Sequence, residues 1–243
     1  AEAFTKPKMM RLLAKAGFSQ SYTYFTWRDN KAELTEYVTE LTGGPMKDYY
    51  TGNFFANTPD ILPVPLQKGG RPAFIMRAIL AATLSSVYGI YSGFELCENT
   101  PIPGREEYLD SEKYEIRQRD WSVASPDNLT PLFTRLNHIR RQHPALQGYN
   151  DVLFFPVDND QIIGYAKMNE DRSDIVVCLV NLDPFHVQES LIHLPLAEFG
   201  LSEQAAYQVY DLLHDEHYRW QGATNYVRLD PAGKMGHIFT IIR

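Results

Sequence analysis

The spacing of apolar residues changes near residue 149, from an alternation of helical and strand-like segments to strand-like segments alone. In the first part, short stretches rich in aromatic and β-branched residues predict strands, and longer stretches with helical spacing predict helices between them. Strands are predicted at residues 18–27, 53–57 and 87–92, and helices at residues 7–16, after Asn30 and from Pro72. The strands therefore recur every 33 to 35 residues, with a helix between each pair.

The start or the end of two helices can be predicted from single residues. In PKMMRLLAKAG, Pro7 suits the first turn of a helix, and Gly17 suits the left-handed conformation that ends one. Asn30 is a predicted cap for the next helix, and Glu33 stands three residues later, where a capping box requires an acidic residue.

This alternation predicts parallel strands, because consecutive parallel strands are joined by a crossover that usually contains a helix. Two architectures satisfy it, a doubly wound sheet and a (β/α)8 barrel. The sequence contains neither GxGxxG nor GxxxxGK[ST], so the nucleotide-binding version of the doubly wound sheet has no support. We therefore favour the barrel.

The second part of the chain is predicted to be an antiparallel sandwich. An amphipathic helix, LTPLFTRLNHIRRQHPAL, precedes it. The predicted strands are separated by turn residues, as in a sandwich, and are DVLFFPVD, QIIGYAKM, DIVVCLVNL, VQESLIHLP, YQVYDLL, NYVRLD and HIFTIIR. The predicted fold is therefore an α/β barrel segment at residues 1–149 followed by an all-β antiparallel sandwich domain at residues 150–243.

Charge and composition exclude several classes of partner. The formal net charge of −7 provides no basic surface for nucleic acid or an anionic membrane. No apolar run approaches the roughly 20 residues of a membrane helix. Cys97 and Cys178 are the only cysteines, and the seven histidines show no metal-ligand spacing, so we expect no disulfide, metal or cofactor. A reducing compartment, the cytoplasm, is expected.

Three acidic residues lie where a parallel α/β fold places its functional side chains, one just before the helix that begins at Pro7 and two just after predicted strands. They are Glu2, Asp60 and Glu95. Converging carboxylates suit glycoside chemistry, which needs an acid for the leaving oxygen and a carboxylate to attack. Glu95 is interpreted as structural. Tyrosines and Trp27 in the same segments favour a carbohydrate groove, since sugars pack on aromatic rings.

Three segments carry a resemblance to a known family: AEAFTKPKMMRLLAKAGFSQSYTYFTWR, NFFANTPDIL and YGIYSGFELCENTPIPGREEYLDSEKYEIRQRDW. They resemble the alpha-amylase superfamily, and within it the maltosyltransferase branch. Most of the superfamily has Asn-His-Asp where this sequence has NTPD, which fits that branch. The resemblance implies that residues 1–149 are the C-terminal half of the catalytic (β/α)8 barrel.

The resemblance also implies roles for four residues. Glu2 matches the general acid/base after the fifth barrel strand, and Asp60 matches the carboxylate that stabilises the donor sugar and its transition state. Lys113 and Tyr114, in SEKYE, match residues that hold the donor. The family's nucleophilic aspartate is expected upstream of AEAF, so we expect this chain to be a fragment that is inactive by itself.

The activity that the resemblance implies is retaining transfer of maltosyl units from alpha-maltose 1-phosphate to the non-reducing end of an alpha-1,4-glucan, with release of phosphate. A homodimer is also implied. Two alternatives stay open: another alpha-glucan-active enzyme such as an amylase or a trehalose synthase, and a non-catalytic carbohydrate-binding protein of the same fold.

Overall fold

The computed structural model describes residues 1–2, 5–113, 116–122, 125–149 and 152–242. The helices within these residues are α1 (Pro7–Lys15), α2 (Lys31–Thr42), α3 (Val64–Lys68), α4 (Gly70–Leu84) and α5 (Thr130–Gln142). The strands of the first part are β1 (Ser21–Tyr22), β2 (Gly52–Phe55) and β3 (Val87–Gly89). Those of the second part are β4 (Leu153–Phe154), β5 (Ile162–Met168), β6 (Ile175–Asn181), β7 (Gln188–His193), β8 (Ala206–Asp211), β9 (Glu216–Gln221), β10 (Thr224–Leu229) and β11 (Gly236–Ile242).

The first three strands form one parallel sheet in the order β1, β2, β3. α2 connects β1 to β2, and α3 and α4 connect β2 to β3. The predicted alternation of helices and parallel strands is therefore confirmed for these elements. Because the strands run in one direction, their carboxyl ends meet at a single edge of the sheet.

The strand predicted over residues 18–27 is much shorter in the structure. Only Ser21–Tyr22 is a strand, and Tyr24–Trp27 forms a 3-10 helix. The Thr23 hydroxyl accepts a hydrogen bond of 3.4 Å from the Phe25 N–H and so caps that helix. A local bond from a side chain to the backbone thus outweighs the strand propensity of the aromatic residues.

The predicted helix ends are confirmed at α1 and α2. α1 has Pro7 in its first turn, and Gly17 beyond its end has a φ of +107°. At α2, Asn30 Oδ1 accepts a hydrogen bond of 2.9 Å from the Glu33 N–H. The Glu33 carboxylate accepts a bond of 3.4 Å from the N–H of Asp29, the residue before the cap, so this part of the predicted capping box is shifted by one residue.

α4 is the layer that joins the two parts of the chain. It is buried along most of its length and contacts β2 and β3 on one side and β6 on the other. A Cβ atom at Gly236 would lie 2.7 Å from the Leu179 carbonyl and 3.2 Å from Ile79 Cδ1, so glycine lets β11 pass close to α4. Even α4 is too short to span a bilayer, and no other helix among the described residues could do so.

The second part of the chain contains two antiparallel sheets. The larger sheet has the strand order β4, β5, β6, β11, β8, β9, and the smaller one pairs β7 with β10. The predicted antiparallel β structure is therefore confirmed. β9 was not among the predicted strands, because it is an edge strand in which Trp220 is the one buried residue, so its apolar alternation is weak.

Two apolar cores hold these layers together. One lies between the two antiparallel sheets and includes Phe199, Val209 and Phe239. The other continues from the helices of the first part onto the opposite face of the larger sheet, so that Leu80 of α4 and Cys178 of β6 belong to the same core. The two parts thus share buried apolar surface, and the domain boundary at residue 149 stays a prediction.

Arg77 is a buried arginine that anchors the segment after β1. Its Nη1 donates a hydrogen bond of 2.7 Å to the Arg28 carbonyl, and its Nη2 donates one of 2.6 Å to the Phe25 carbonyl. The guanidinium lies over the Phe25 ring, and the Asp29 carboxylate is 3.7 Å from Nη1. Burial lowers the pKa of Arg77 to about 10, so the group is charged at neutral pH.

Asp211 forms a second buried polar cluster, at the end of β8. Its Oδ2 accepts hydrogen bonds from His214 Nδ1 at 2.7 Å and from His237 Nδ1 at 2.6 Å. Its Oδ1 accepts one from the Leu213 N–H at 3.0 Å. Burial by itself would raise the pKa of Asp211, but the bonds from the two histidines outweigh burial and hold that pKa well below its ordinary value.

Replacing Arg77 by methionine should destabilise the segment that begins at Phe25. The Phe25 and Arg28 carbonyls would lose their donor at about 1–3 kcal/mol each, so we expect a loss of about 2–6 kcal/mol. Native-state hydrogen exchange of the complete gene product, read over residues 25–42, measures this loss. Arg71→Met, at an exposed arginine of the same helix, is the control. Equal exchange in the two variants would contradict the anchoring role.

Replacing Asp211 by asparagine should destabilise β8 and β11 at pH 7 by about 1–3 kcal/mol, since two histidine donors lose a buried anion. Because the folded pKa lies below the ordinary value of about 3.9, the stabilisation is complete above that pH and is lost as the pH falls further. The difference between wild type and variant should therefore shrink below about pH 4.

Hydrogen exchange of β8 and β11 as a function of pH measures that difference. Asp160→Asn, at a carboxylate that is 99% exposed, is the matched control. The interpretation would be overturned if Asp211→Asn had the same stability as wild type at pH 7, or if the difference in stability grew as the pH fell below 4.

Candidate active site

The carboxyl ends of β1, β2 and β3 form the edge at which the predicted site residues meet. In the register of the sheet, Tyr22 lies beside Asn53, and Phe55 lies beside Gly89. The segments that leave these strands carry Asp60 and, further along the chain, Lys113. Loops at this edge of a parallel sheet can hold side chains from distant parts of a sequence close together.

Glu2 is placed at this edge by its neighbour Ala1. The Ala1 nitrogen donates a hydrogen bond to the Gln20 carbonyl, and the Tyr22 N–H donates one of 3.0 Å to the Ala1 carbonyl. These two bonds link Ala1 to the residues on either side of Ser21, as in a parallel pair of strands. Glu2, the residue after Ala1, therefore lies beside the carboxyl end of β1. Its side chain is exposed.

The pKa of Tyr22 is affected by both predicted catalytic carboxylates. Burial raises the pKa of its phenol, and the negative charges of Glu2 and Asp60 raise that pKa further. The ring packs against Phe55, with 4.4 Å between the ring centroids. Glu2 and Asp60, which belong to two different segments, thus both influence the same hydroxyl group.

Asp60 lies in a tight turn after β2. Thr58 and Ile61 exchange two backbone hydrogen bonds, of 3.0 and 3.1 Å. Within the turn, the Asp60 N–H donates a bond of 3.2 Å to the Thr58 hydroxyl. The turn holds the Asp60 backbone in place and leaves 47% of its side chain exposed. Such a carboxylate is fixed in position and accessible to a ligand.

Lys113 reaches Asp60 from the irregular segment between β3 and α5. Its Nζ lies 2.5 Å from Asp60 Oδ1, and 46% of the Lys113 side chain is exposed. An ion pair with this exposure contributes little to the free energy of folding. It does show that two of the four predicted site residues are in contact. Tyr114, the fourth, lies outside the described residues.

A buried arginine holds the segment that carries Lys113. Arg119 Nε and Nη2 donate hydrogen bonds of 2.9 and 3.2 Å to the two carboxylate oxygens of Glu98. Its Nη1 lies 3.0 Å from Glu112 Oε2. Only 3% of the Arg119 side chain is exposed. Charge-assisted bonds with a bidentate arrangement are among the stronger hydrogen bonds in proteins, so this arginine connects both ends of the segment.

Asn57 and Tyr91 connect that arginine to the sheet. The Asn57 side chain, fully buried, accepts a hydrogen bond of 2.7 Å from the Tyr91 N–H and donates one of 2.6 Å to the Tyr108 hydroxyl. The Tyr91 hydroxyl in turn accepts one of 2.8 Å from the Glu112 N–H, and the Arg119 guanidinium lies 5.7 Å from the Tyr91 ring centroid. We call Asn57, Tyr91, Glu98, Glu112 and Arg119 the polar clamp.

The clamp residues are not predictable as a group from the sequence. The nearest signal is the density of charged residues in REEYLDSEKYEIRQRD, which by itself indicates only a solvated loop. Two tyrosines that composition assigns to a carbohydrate groove, Tyr91 and Tyr108, are instead buried and support the loop from below. Glu95 accepts a hydrogen bond of 3.2 Å from the Gly93 N–H, which agrees with its structural interpretation.

Potential metal ligands converge at one place in the described residues, the cluster of Asp211, His214 and His237. It lies in the larger antiparallel sheet and not at the carboxyl ends of β1 to β3. The nitrogen-to-oxygen separations of 2.6 and 2.7 Å are those of hydrogen bonds between N–H donors and a carboxylate. We interpret this cluster as structural.

Three comparisons with known proteins relate the chain to others. The family described as "GLGE, C-terminal" matches residues 154–241, which run from β4 to β11. The alpha-1,4-glucan:maltose-1-phosphate maltosyltransferase of Rhodospirillum rubrum is 54% identical over 241 residues, which are 99% of this chain and 35% of that protein. The enzyme of the same name from Myxococcus xanthus is 50% identical over 95% of this chain and 34% of its own length.

Solved structures of alpha-amylases share the fold. The alpha-amylase from Geobacillus thermoleovorans complexed with acarbose superimposes with a TM-score of 0.70 at 12% identity, over 100% of this chain and 52% of that one. The Anoxybacillus alpha-amylase gives a TM-score of 0.64 at 14% identity, over 99% of this chain and 51% of its own. At such low identity the similarity concerns the fold alone.

The high identity extends along the whole chain, through the parallel sheet, the polar clamp and the antiparallel sheets. The chain spans about a third of the length of the curated relatives that it matches. The resemblance seen in the sequence is thereby confirmed: this chain is similar from end to end to about a third of an alpha-1,4-glucan:maltose-1-phosphate maltosyltransferase.

Proposed function

We propose that the complete gene product is a retaining glycosyltransferase, which moves maltosyl units from alpha-maltose 1-phosphate to the non-reducing end of an alpha-1,4-glucan and releases phosphate. Relatives with that activity in their name, at 46 to 54% identity, support the proposal. The observation that carries it is the contact of Lys113 with Asp60 at the carboxyl ends of the parallel strands, and the negative charges of Glu2 and Asp60 both raise the pKa of nearby Tyr22.

The architecture proposed for this chain is the C-terminal half of a (β/α)8 barrel at residues 1–149, followed by a β-sandwich at residues 150–243. Three observations support it. β1, β2 and β3 are consecutive parallel strands with helical connections. Ala1 is bound to β1 as the residue of a neighbouring parallel strand would be. Solved alpha-amylases superimpose on the whole chain.

In this proposal Glu2 is the general acid and base of a double displacement. In the first step a nucleophilic aspartate, which the resemblance implies outside this sequence, attacks C1 of the donor. Glu2 gives its proton to the oxygen of the departing phosphate. In the second step the Glu2 carboxylate takes the proton of the acceptor 4-hydroxyl, whose oxygen attacks C1 and releases the aspartate. Two inversions retain the α configuration.

Asp60 and Lys113 hold the donor sugar in this scheme. Asp60 presents a fixed, accessible carboxylate that can accept hydrogen bonds from sugar hydroxyls and stabilise positive charge as it develops at C1. Lys113 presents an ammonium group whose protons can be shared between Asp60 and the donor. Tyr114, beside Lys113 in the sequence, is assigned to the same donor subsite on the resemblance alone.

The proposal is tested by incubating the complete gene product with alpha-maltose 1-phosphate and glycogen. We expect phosphate to appear in equal amount to the maltosyl units added to the glucan. Free maltose without elongation would indicate a hydrolase such as an amylase, and interconversion of maltose and trehalose would indicate a trehalose synthase. Glucan binding without any turnover would indicate a non-catalytic protein. Each of these three results would overturn the proposal.

Replacing Glu2 by glutamine should lower the rate of maltosyl transfer by about 10²- to 10⁴-fold, which is the usual contribution of a general acid or base. Glutamine keeps the shape of the side chain but can neither give nor take the proton. Phosphate release by the complete gene product measures the rate.

Glu36→Gln, at an exposed glutamate of α2, is the matched control and should transfer at the wild-type rate. Unchanged turnover in the Glu2→Gln variant would show that another residue is the acid/base.

A further inference from the structure

Lys113 lies between residues 98 and 121, where the described residues form no helix or strand. Its ion pair with Asp60 is nearly half exposed, so water and salt compete with it. If Lys113 is to meet a donor sugar in one geometry, some other interaction has to fix the backbone beside it.

That interaction is made by the preceding residue, Glu112. Its N–H donates a hydrogen bond of 2.8 Å to the Tyr91 hydroxyl, and its carboxylate lies 3.0 Å from Arg119 Nη1. The backbone on the N-terminal side of Lys113 is thereby held at two points, one through the main chain and one through the side chain. Lys113, the next residue, contacts Asp60 from this fixed backbone.

The Arg119 side chain is held in place by Glu98. Its other nitrogens form the bidentate pair with Glu98. Gly93, with a φ of +98°, makes room for this pair, because a Cβ atom there would lie 2.3 Å from Glu98 Oε2 and 2.9 Å from Arg119 Nε. A site shaped so closely around one guanidinium cannot be filled equally by the compact ammonium of a lysine.

The same network reaches the turn that carries Asp60. The Asn57 side chain accepts a hydrogen bond from the Tyr91 N–H, and Asn57 lies three residues before Asp60 in the chain. The clamp therefore connects the two segments whose side chains form the Lys113–Asp60 pair. Arg119 is the cation that pairs with both Glu98 and Glu112, whereas Arg117, whose Nη1 lies 3.4 Å from Glu98 Oε2, adds a second positive charge at Glu98. Loss of Arg119 would therefore remove the link between the two carboxylates.

We propose that Arg119 is a positioning residue for the donor subsite, which acts through Glu112 to hold Lys113 against Asp60. This inference rests on the proposed function, because the donor is the ligand that Lys113 would meet. Arg119 itself is buried and does not touch the sugar. Its effect on the reaction is therefore transmitted entirely through Lys113.

The test is a double-mutant cycle in the complete gene product, with Arg119→Lys and Lys113→Met made singly and together. Arg119→Lys should raise the KM for alpha-maltose 1-phosphate by about tenfold to a hundredfold, the usual range for a misplaced binding group. In the Lys113→Met background the same change should raise KM less than twofold further, since the residue through which it acts is absent.

A merely structural role for Arg119 would give additive effects, and additivity would overturn the inference. So would a KM for the Arg119→Lys variant within twofold of wild type. Arg105→Lys, at an arginine of the same segment that is 65% exposed, is the matched control and should leave KM unchanged.

Tyr91→Phe provides a second route if Arg119→Lys does not fold. It removes only the hydroxyl that accepts the Glu112 N–H, and its effect on KM should likewise disappear in the Lys113→Met background. An effect of Tyr91→Phe that persists there contradicts the inference. Failure of the proposed function is distinguishable, because wild-type protein would then transfer no maltosyl units at all.

Discussion

The guanidinium of Arg119 connects parts of the molecule that the parallel sheet does not hold together. The sheet aligns the carboxyl ends of its three strands, but Lys113 belongs to an irregular segment far from any of them in sequence. A planar group with several donors can bind Glu98 and Glu112 at once, and its burial keeps competing water away. Local hydrogen bonds fix the turn at Asp60, whereas the segment that carries Lys113 is held by the contacts of Arg119 with Glu98 and Glu112.

The sheet that carries the site is held from beneath by α4. This helix packs against β2 and β3 and also against β6, so that the parallel sheet and the larger antiparallel sheet share one apolar core. Arg77, a residue of α4, links this helix to the segment after β1 through hydrogen bonds to the Phe25 and Arg28 carbonyls. The antiparallel sheets therefore support the candidate site through α4, although they contribute no residue to it.

Local signals in the sequence predicted the local structure well. The Asn30 cap and the left-handed Gly17 depend on interactions within a few residues, and both are found. The predicted strands β5 and β6 are also found, and nearly every residue of the two is buried. The segment after Gly17 was predicted less well, because the Thr23 cap of a 3-10 helix outweighs the strand propensity of its aromatic residues. β9 was missed because an edge strand needs little apolar alternation.

The site was predictable only in part, for a different reason. The positions of Glu2 just before a helix and of Asp60 just after a strand, together with the family resemblance, identify them as candidate carboxylates. The contacts between segments, such as Arg119 with Glu98 across 21 residues, have no periodic signature. Residues of this kind are charged and lie in a loop, so the sequence pattern makes them look solvated, and only the fold reveals that they are buried.

A crystal structure of the complete gene product with bound maltose tests the central claim most directly. The account predicts that the sugar lies between Glu2 and Asp60, with Lys113 in contact with it and Glu112 within hydrogen-bond distance of Arg119. Maltose bound away from the carboxyl ends of β1 to β3, or Glu2 and Asp60 on different faces of the protein, would contradict it.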